Sequence, residues 1–142
     1  MSSGNDRVYR LDDQTGFLLR LASQRHTAIF ADHMVPDLTP TRFSALAKLY
    51  EKGSLSQNEL GRQTAMDIAT IKGVVDRLRD RGFVETGPDP DDARRQRVSL
   101  TKAGAEMIER ALPLGMAITE ATLEPLTDRE AQTLQRLLKK LC

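Results

Sequence analysis

The chain has 142 residues, a formal net charge of +1 and a single cysteine, Cys142. This length predicts one domain with a modest core, and the balanced charge gives no bulk electrostatic argument for binding nucleic acid. A lone terminal cysteine excludes a disulfide framework and a C-x-x-C metal site, which fits a reducing cytosol. No apolar run approaches the length of a membrane span, and we expect a cytoplasmic protein. We also expect no metal and no other cofactor.

The first third of the chain predicts two helices. Residues 1–10 are polar and are expected to be loosely ordered, and a long helix over about residues 14–33 follows. Its apolar residues fall on two stripes, which predicts burial on two sides and, in so short a chain, contact with a second subunit. After a break at Pro36, Thr39 at the N-cap and Pro40 at N1 begin a helix that ends at Gly53.

Two short capped helices come next. The S-x-x-E sequence from Ser56 to Glu59 is a capping box that begins a helix running to about Gln63. Asp67 is a suitable N-cap for a second helix over about residues 68–81, because its apolar residues recur with the spacing of one helix face. Gly82 is expected to end that helix as a C′ glycine.

A β-hairpin with a charged tip follows the second short helix. Residues 83–86 predict a strand, which Pro88 and Pro90 are expected to end because proline lacks a ladder donor. Residues 97–100 return as the partner strand. The fold class is therefore mainly α with a small β-hairpin wing, that is, a winged helix-turn-helix, which places its second helix in the DNA major groove and its loop against the backbone or minor groove.

The chain ends in two more helices. Thr101 caps a helix over residues 102 to about 123, and a second capping box, from Thr127 to Glu130, begins the last one. The outer helices, residues 11–35 and 102–142, have more apolar surface than the winged helix-turn-helix at residues 39–101 can cover. One domain that dimerises through these outer helices is the expected arrangement.

Three stretches resemble the multiple antibiotic resistance regulator (MarR) family. They are DIATIKGVVDR at 67–77, LRDRGFVE at 78–85 and DPDDARRQRVSLT at 89–101, and the most specific part is D-P-x-D-x-R, formed by Asp89, Pro90, Asp92 and Arg94. The resemblance implies a homodimeric bacterial transcription regulator, typically a repressor released from its operator by a small phenolic or aromatic ligand. It also implies that Arg94 enters the minor groove and that Asp92 braces it through an ion pair.

The candidate DNA contacts lie in both short helices and in the wing. At the start of the second helix, where base edges are met, a group of four residues is expected to contact a pseudo-palindromic operator: Ala69, Thr70, Lys72 and Gly73. Arg77 either contacts a phosphate or pairs with a wing acid. Ser56 and Gln57 are phosphate candidates at a helix N-terminus. Arg94 and Arg95 at the wing tip are either DNA contacts or a solvated charged loop, and Arg97 has the same two interpretations.

A ligand site is expected where the first helix meets the helix that begins at Pro40. Its candidate residues are Arg20, Ser23, His26, Phe30 and Phe43, which combine apolar surface with a few polar groups. Residues 11–30 resemble the branch of the family that regulates aromatic-compound breakdown, which implies an aromatic carboxylate or its coenzyme A thioester. In the alternative interpretation, Phe30 and Phe43 belong to the core and His26 is a buried or interfacial histidine.

Other functions have less support in the sequence. His26 and His33 lack the spacing and the neighbours of a metal site, and Cys142 lacks the electropositive surroundings of a redox sensor. The chain contains no nucleophilic triad and no Gly-rich phosphate loop, so it is not expected to be an enzyme. The alternative function is a winged helix that binds another protein instead of DNA, and a gel shift against the chain's own upstream intergenic DNA separates the two.

Overall fold

The computed structural model of the protein describes residues 8–142, so the segment expected to be loosely ordered lies mostly outside the described residues. A 3₁₀ turn at Leu11–Asp13 precedes the regular elements. They are α1 (Thr15–His33), α2 (Pro40–Lys52), β1 (Leu55–Ser56), α3 (Gln57–Gln63), α4 (Ile68–Asp80), β2 (Val84–Pro88), β3 (Gln96–Leu100), α5 (Lys102–Leu123) and α6 (Asp128–Leu141). The predicted class, mainly α with a small β-wing, is confirmed.

Side-chain caps decide where five of the six helices begin. In each, the N-cap oxygen accepts a hydrogen bond from the backbone N–H three residues on, which satisfies one of the free donors of the first turn. These N-caps are Thr39, Ser56, Asp67, Thr101 and Thr127. Gly82 has a φ of 79°, as a C′ glycine requires. The predicted helix boundaries are therefore confirmed to within one or two residues.

The sheet differs from the predicted hairpin in two ways. It has three antiparallel strands in the order β1-β3-β2, because Leu55 pairs with Val98. The sequence did not predict β1. In addition, β2 continues to Pro88, which pairs with Gln96, so the prediction that the prolines end the strand near residue 86 is wrong for Pro88. The reason is that β2 is an edge strand, where a proline nitrogen can face solvent without costing a ladder bond.

The two capping boxes also differ. At Thr127 both halves form: the Thr127 hydroxyl accepts from Glu130 N at 3.1 Å, and Glu130 Oε1 accepts from Thr127 N at 2.9 Å. At Ser56 only the hydroxyl half forms. The Glu59 carboxylate instead accepts hydrogen bonds from Arg62 and Gln63, which also lower its pKa, with the Gln63 bond the larger cause. The box predicted there is therefore only half present.

The core joins residues 39–101, the winged helix-turn-helix that we call the head, to the long helices α1 and α5. Side chains that are almost completely buried come from α2, α3, α4, β3 and α5; they include Leu46, Leu49, Leu60, Ile71, Val75, Leu78, Val98 and Ile108. In contrast, no side chain of α6 is buried. We call Leu134, Leu137, Leu138 and Leu141 the apolar face of α6. No helix within residues 8–142 is both long enough and apolar enough to cross a membrane.

The wing is attached directly to α5. β3 ends at Leu100 and α5 begins at Lys102, with only Thr101 between them. Thr101 donates from its backbone N–H to the carbonyl of Phe83 at 3.1 Å and from its hydroxyl to the carbonyl of Gly82 at 2.6 Å. Gly104 then packs so closely that a Cβ there would lie 1.9 Å from the Phe83 carbonyl oxygen. The first turn of α5 therefore rests on the base of the wing.

Candidate nucleic-acid interface and adjoining cavities

The two faces of α4 have different environments. Ile71, Val74, Val75 and Leu78 are buried, as their spacing predicts. The remaining residues at the start of α4 are exposed, and we call them the α4 outer face: Ala69, Thr70, Lys72 and Gly73 on the side away from the core, and Ile68 at the N-terminal end on the side of Ile71. Asp67 Oδ1 accepts from Thr70 N at 2.7 Å, and the hydrogen bonding from Thr70 lowers the pKa of Asp67. The helix therefore begins with a charged cap and presents four candidate DNA contacts, together with Ile68, to solvent.

Charged side chains along α4 are mostly paired with one another. Asp76 binds Lys72 Nζ at 2.9 Å and Arg79 Nη2 at 3.0 Å, and the hydrogen bond from Lys72 is the largest cause of its lowered pKa. Arg79 also donates to the Thr86 hydroxyl on β2 at 3.2 Å. Arg77 is exposed, and within residues 8–142 it forms no salt bridge, so the interpretation that it pairs with a wing acid is wrong. Its contact with a phosphate stays a prediction.

A bidentate ion pair holds the wing tip. Asp92 Oδ1 accepts from the backbone N–H and Nε of Arg94 at 3.0 and 3.1 Å, and Oδ2 accepts from Nη2 at 3.0 Å. The side-chain hydrogen bond lowers the pKa of Asp92 and raises that of Arg94, and Arg95 contributes a weaker attraction from 3.9 Å. The Arg94 side chain is still 90% exposed. The carboxylate therefore orients this guanidinium without covering it.

A second ion pair, which the sequence did not predict, holds the wing base. Asp89 is 5% exposed and accepts a hydrogen bond from Asp91 N at 2.9 Å. Arg97 Nη1 lies 3.7 Å from Asp89, while Nη2 donates to the carbonyl of Ser54 at 3.1 Å. Arg97, for which a DNA contact was one interpretation, thus ties the loop to the segment before β1. The sequence feature that could have pointed to this ion pair is Asp89-Pro90, which opens the loop.

The two phosphate candidates are Ser56, the last residue of β1 and the N-cap of α3, and Gln57, the first residue of α3. Ser56 is half-buried, and its hydroxyl already accepts from Glu59 N at 3.2 Å. Gln57 Oε1 is buried and has no hydrogen-bond partner among residues 8–142. Because that oxygen is only an acceptor, a phosphate contact by Gln57 must come from its amide or backbone N–H groups.

Two cavities lie along α1 and α5. The scaffold cavity, of about 360 Å³, lies between α1, α5 and α6; its lining includes Ser23, His26, Thr122, Leu134 and Leu138. The head cavity, of about 200 Å³, lies between α1, α2 and α5; its lining includes His26, Phe30, Phe43, Ser44 and Gly115. His26 lines both cavities, and its Nδ1 is 2.8 Å from the Thr122 hydroxyl.

Most, but not all, predicted ligand contacts reach these cavities. Phe30 and Phe43 form an edge-to-face pair with ring centroids 6.0 Å apart. Arg20 lies outside both linings, with its guanidinium 5.5 Å from the centre of the Phe17 ring. Arg25 and Arg42 also lie outside, and they donate to the carbonyls of Thr122 at 2.7 Å and Asp37 at 3.3 Å. The structure thus brings Ser23, His26, Phe30 and Phe43 to the cavities but not a cationic partner for a carboxylate.

An exposed recognition-helix face beside a wing with a projecting arginine is the surface of a winged helix-turn-helix DNA-binding protein. The sequence model of the MarR family matches residues 38–95. The transcriptional repressor NicR of Pseudomonas putida is 41% identical over 134 residues, which cover 94% of this chain and 85% of NicR. The chain therefore belongs to the MarR family of transcription regulators, which confirms the predicted resemblance and the prediction that it is not an enzyme.

Solved structures agree with this assignment. A probable transcriptional regulator from Pseudomonas aeruginosa is 50% identical, with a TM-score of 0.91 over 94% of this chain and 100% of that one. BpsR of Bordetella bronchiseptica is 36% identical, with a TM-score of 0.91 over 95% and 97% of the two chains. The DNA binding of BpsR is regulated by 6-hydroxynicotinic acid.

Proposed function

We propose that the protein is a homodimeric repressor that binds a pseudo-palindromic operator through α4 and the wing, and that an aromatic acid releases it. The observation that supports DNA binding best is the arrangement of the α4 outer face beside Arg94, which Asp92 orients and leaves 90% exposed. Helix and wing would contact the major groove and the adjoining minor groove of one half-site. NicR is a transcriptional repressor, which supports repression and not activation as the role of this protein.

Dimerisation is supported by apolar surface that one protomer leaves uncovered. The apolar face of α6 has no buried residue, and Leu18, Leu19 and Leu21 of α1 are each more than two-fifths exposed. A two-fold dimer through α1, α5 and α6 covers these side chains, with residues 39–101 as the two heads. It also sets the heads at half-sites about one helical turn apart, which a monomer cannot do.

For the ligand, the head cavity is the stronger candidate. It contacts α2 of the head through Phe43 and the long helices through His26 and Gly115, so an occupant touches both parts of the protein. Its volume of about 200 Å³ lies below the range of drug-sized sites, roughly 300–1,000 Å³, which favours a single-ring acid over a coenzyme A thioester. Because 6-hydroxynicotinic acid regulates the DNA binding of BpsR, it is the first compound to test.

The ligand acts by binding one arrangement of the heads better than another. A compound with equal affinity for the DNA-competent and DNA-incompetent arrangements does not change the equilibrium between them. The ordinary scale of such coupling corresponds to a change in DNA affinity of about 5- to 150-fold. His26 lines this cavity, and because its Nδ1 is engaged by Thr122, Nε2 is the ring nitrogen left for a ligand.

The test is a gel shift with the full chain and its own upstream intergenic DNA, repeated over a range of salt concentrations. We expect log K to fall linearly with log salt, with a slope of about −0.9 per phosphate neutralised. Addition of 6-hydroxynicotinic acid should weaken binding, whereas His26→Phe should bind DNA normally and respond less. Failure to bind this DNA, or salt-independent affinity, contradicts the proposal and favours the protein-binding winged helix. Normal DNA binding with no effect of any aromatic acid contradicts only the ligand proposal.

A further inference from the structure

Ile68 is a large apolar residue that the fold leaves exposed. It is the first residue of α4 and is 74% exposed. The other exposed large apolar residue of the head, within the described part of the chain, is Tyr50, whose hydroxyl donates to Glu109 on α5 at 3.4 Å. Ile68 therefore leaves branched hydrocarbon in water at the N-terminal end of α4, where a partner that covers it gains the free energy of apolar burial.

On α4 itself the residues next to Ile68 have little capacity for polar contacts with bases, whereas Asn58 and Arg62 of α3 line the same cavity as Ile68. The neighbouring exposed groups are Ala69, Thr70 with its methyl group, and Gly73, around which a Cβ would meet nothing within 4 Å. The first two turns of α4 contain no arginine, asparagine or glutamine, which are the residues that form bidentate bonds with guanine or adenine. Their one cation, Lys72, is paired with Asp76 at 2.9 Å.

Charge also disfavours the phosphate backbone as the partner of Ile68. The adjacent Asp67 carboxylate is exposed at the helix N-terminus and repels phosphate groups. A methyl group on the 5-position of thymine is the one apolar group that a base pair presents in the major groove. It thus matches Ile68 in chemistry and in location, given that α4 enters that groove.

We propose that Ile68 contacts the 5-methyl group of a thymine in each half-site and thereby selects a T·A pair at that position. The inference rests on the proposed DNA-binding function and adds to it a specificity-determining residue and the group that it recognises. Burial of one methyl-sized group contributes about 0.8 kcal/mol, which is about fourfold in affinity. Two symmetric half-sites then give about 16-fold, because independent contacts add in free energy.

The test uses deoxyuridine, which differs from thymine only by the missing 5-methyl group. Duplexes that the purified full-length protein selects from random sequence serve as probes, and each thymine is replaced in symmetric pairs. For the wild-type protein we expect one pair at which deoxyuridine weakens binding about 16-fold. Ile68→Ala should bind the thymine duplex more weakly and bind both duplexes equally, whereas Ile68→Val should retain part of the discrimination.

Val8→Ala is the matched control, since Val8 is 71% exposed and lies outside the head; its thymine-to-deoxyuridine ratio should equal that of the wild type. Circular dichroism should show Ile68→Ala folded, because the side chain is 74% exposed. Equal wild-type affinity for every deoxyuridine duplex, or a full ratio in Ile68→Ala, overturns the inference and leaves DNA binding intact. If the wild type selects no duplex at all, the proposed function itself fails.

Discussion

Replacing Gly104 by alanine tests how tightly α5 is packed against the wing. Gly104 lies in the first turn of α5, and the nearest atom to an added Cβ is the Phe83 carbonyl oxygen, at 1.9 Å. Ordinary contact begins near 3.4 Å, so the helix and the strand must separate by roughly 1.5 Å. The oxygen is part of the backbone and already accepts a hydrogen bond from Thr101 N at 3.1 Å, so no side-chain rotation relieves the clash.

Two opposing effects set the expected size of the change. Alanine is favoured over glycine in a helix by at most about 1 kcal/mol. Overpacking costs about 1–3 kcal/mol or more, and a weakened Thr101 hydrogen bond adds about 1 kcal/mol. We therefore expect Gly104→Ala to lower the free energy of unfolding by about 1–3 kcal/mol.

The assay is equilibrium urea denaturation at one fixed protein concentration, since dimerisation makes stability depend on concentration. Gly73→Ala is the matched control, because Gly73 lies in α4 with nothing within 4 Å of the added Cβ. That variant should be more stable than the wild type by about 0.5–1 kcal/mol. If Gly104→Ala is as stable as the wild type, the close contact between α5 and Phe83 is not present in solution.

Four further predictions concern the wing, the cavity and the dimer. Arg94→Ala should weaken operator binding by about 5- to 150-fold without changing the circular dichroism spectrum, and unchanged affinity at moderate salt removes it from the site. Because hydrogen bonds from Arg94 lower the pKa of Asp92, this carboxylate stabilises the wing above the ordinary value of 3.8 and ceases to do so as the pH falls through the lowered value. An NMR titration should therefore give a lower midpoint for Asp92 in the wild type than in Arg94→Ala, and equal midpoints contradict the brace. A Cβ at Gly115 would lie 2.8 Å from Phe43 Cζ, so Gly115→Ala should displace that ring and weaken aromatic-acid binding roughly 10-fold or more in calorimetry, with DNA affinity retained. Deletion of residues 131–142 removes the apolar face of α6 and should abolish stable dimers in sedimentation; a truncated chain that sediments as a tight dimer excludes this face as an essential part of the interface.

Features that depend on a few adjacent residues were predictable from the sequence. A cap needs only a hydroxyl or carboxylate three residues before a donor, and Thr39, Asp67 and Thr127 all provide one. The buried face of α4 follows in the same way from residue spacing. The ion pair between Asp92 and Arg94 was implied by the resemblance of D-P-x-D-x-R to the family pattern, and the structure forms it.

Features that depend on distant partners were not predictable. Two residues are too few to indicate a strand, and β1 exists because Leu55 meets Val98 across the sheet. Pro88 belongs to β2 because that strand lies at an edge, a fact that the local sequence does not contain.

The candidate site shows the same division. Arg77 and Arg97 carry the same charge, but the fold brings only Arg97 to Asp89 and Ser54. The sequence does not distinguish Ile68 from a core residue, because apolar residues of an amphipathic helix are usually buried; only the packed helix shows that Ile68 is 74% exposed.

The direct attachment of the wing to α5 makes that helix a lever arm. With one residue between β3 and α5, and with Gly104 pressed on the Phe83 carbonyl, the junction has no hinge. At 1.5 Å per residue α5 is about 33 Å long, so a tilt of about 10° moves one end by about 6 Å relative to the other. Gly115, beside the head cavity, lies on the same arm. A displacement of α5 near Gly115, where the proposed aromatic acid would insert, is therefore passed along the helix, across Pro113, to the wing, whose Arg94 is proposed to enter a groove about 6 Å wide.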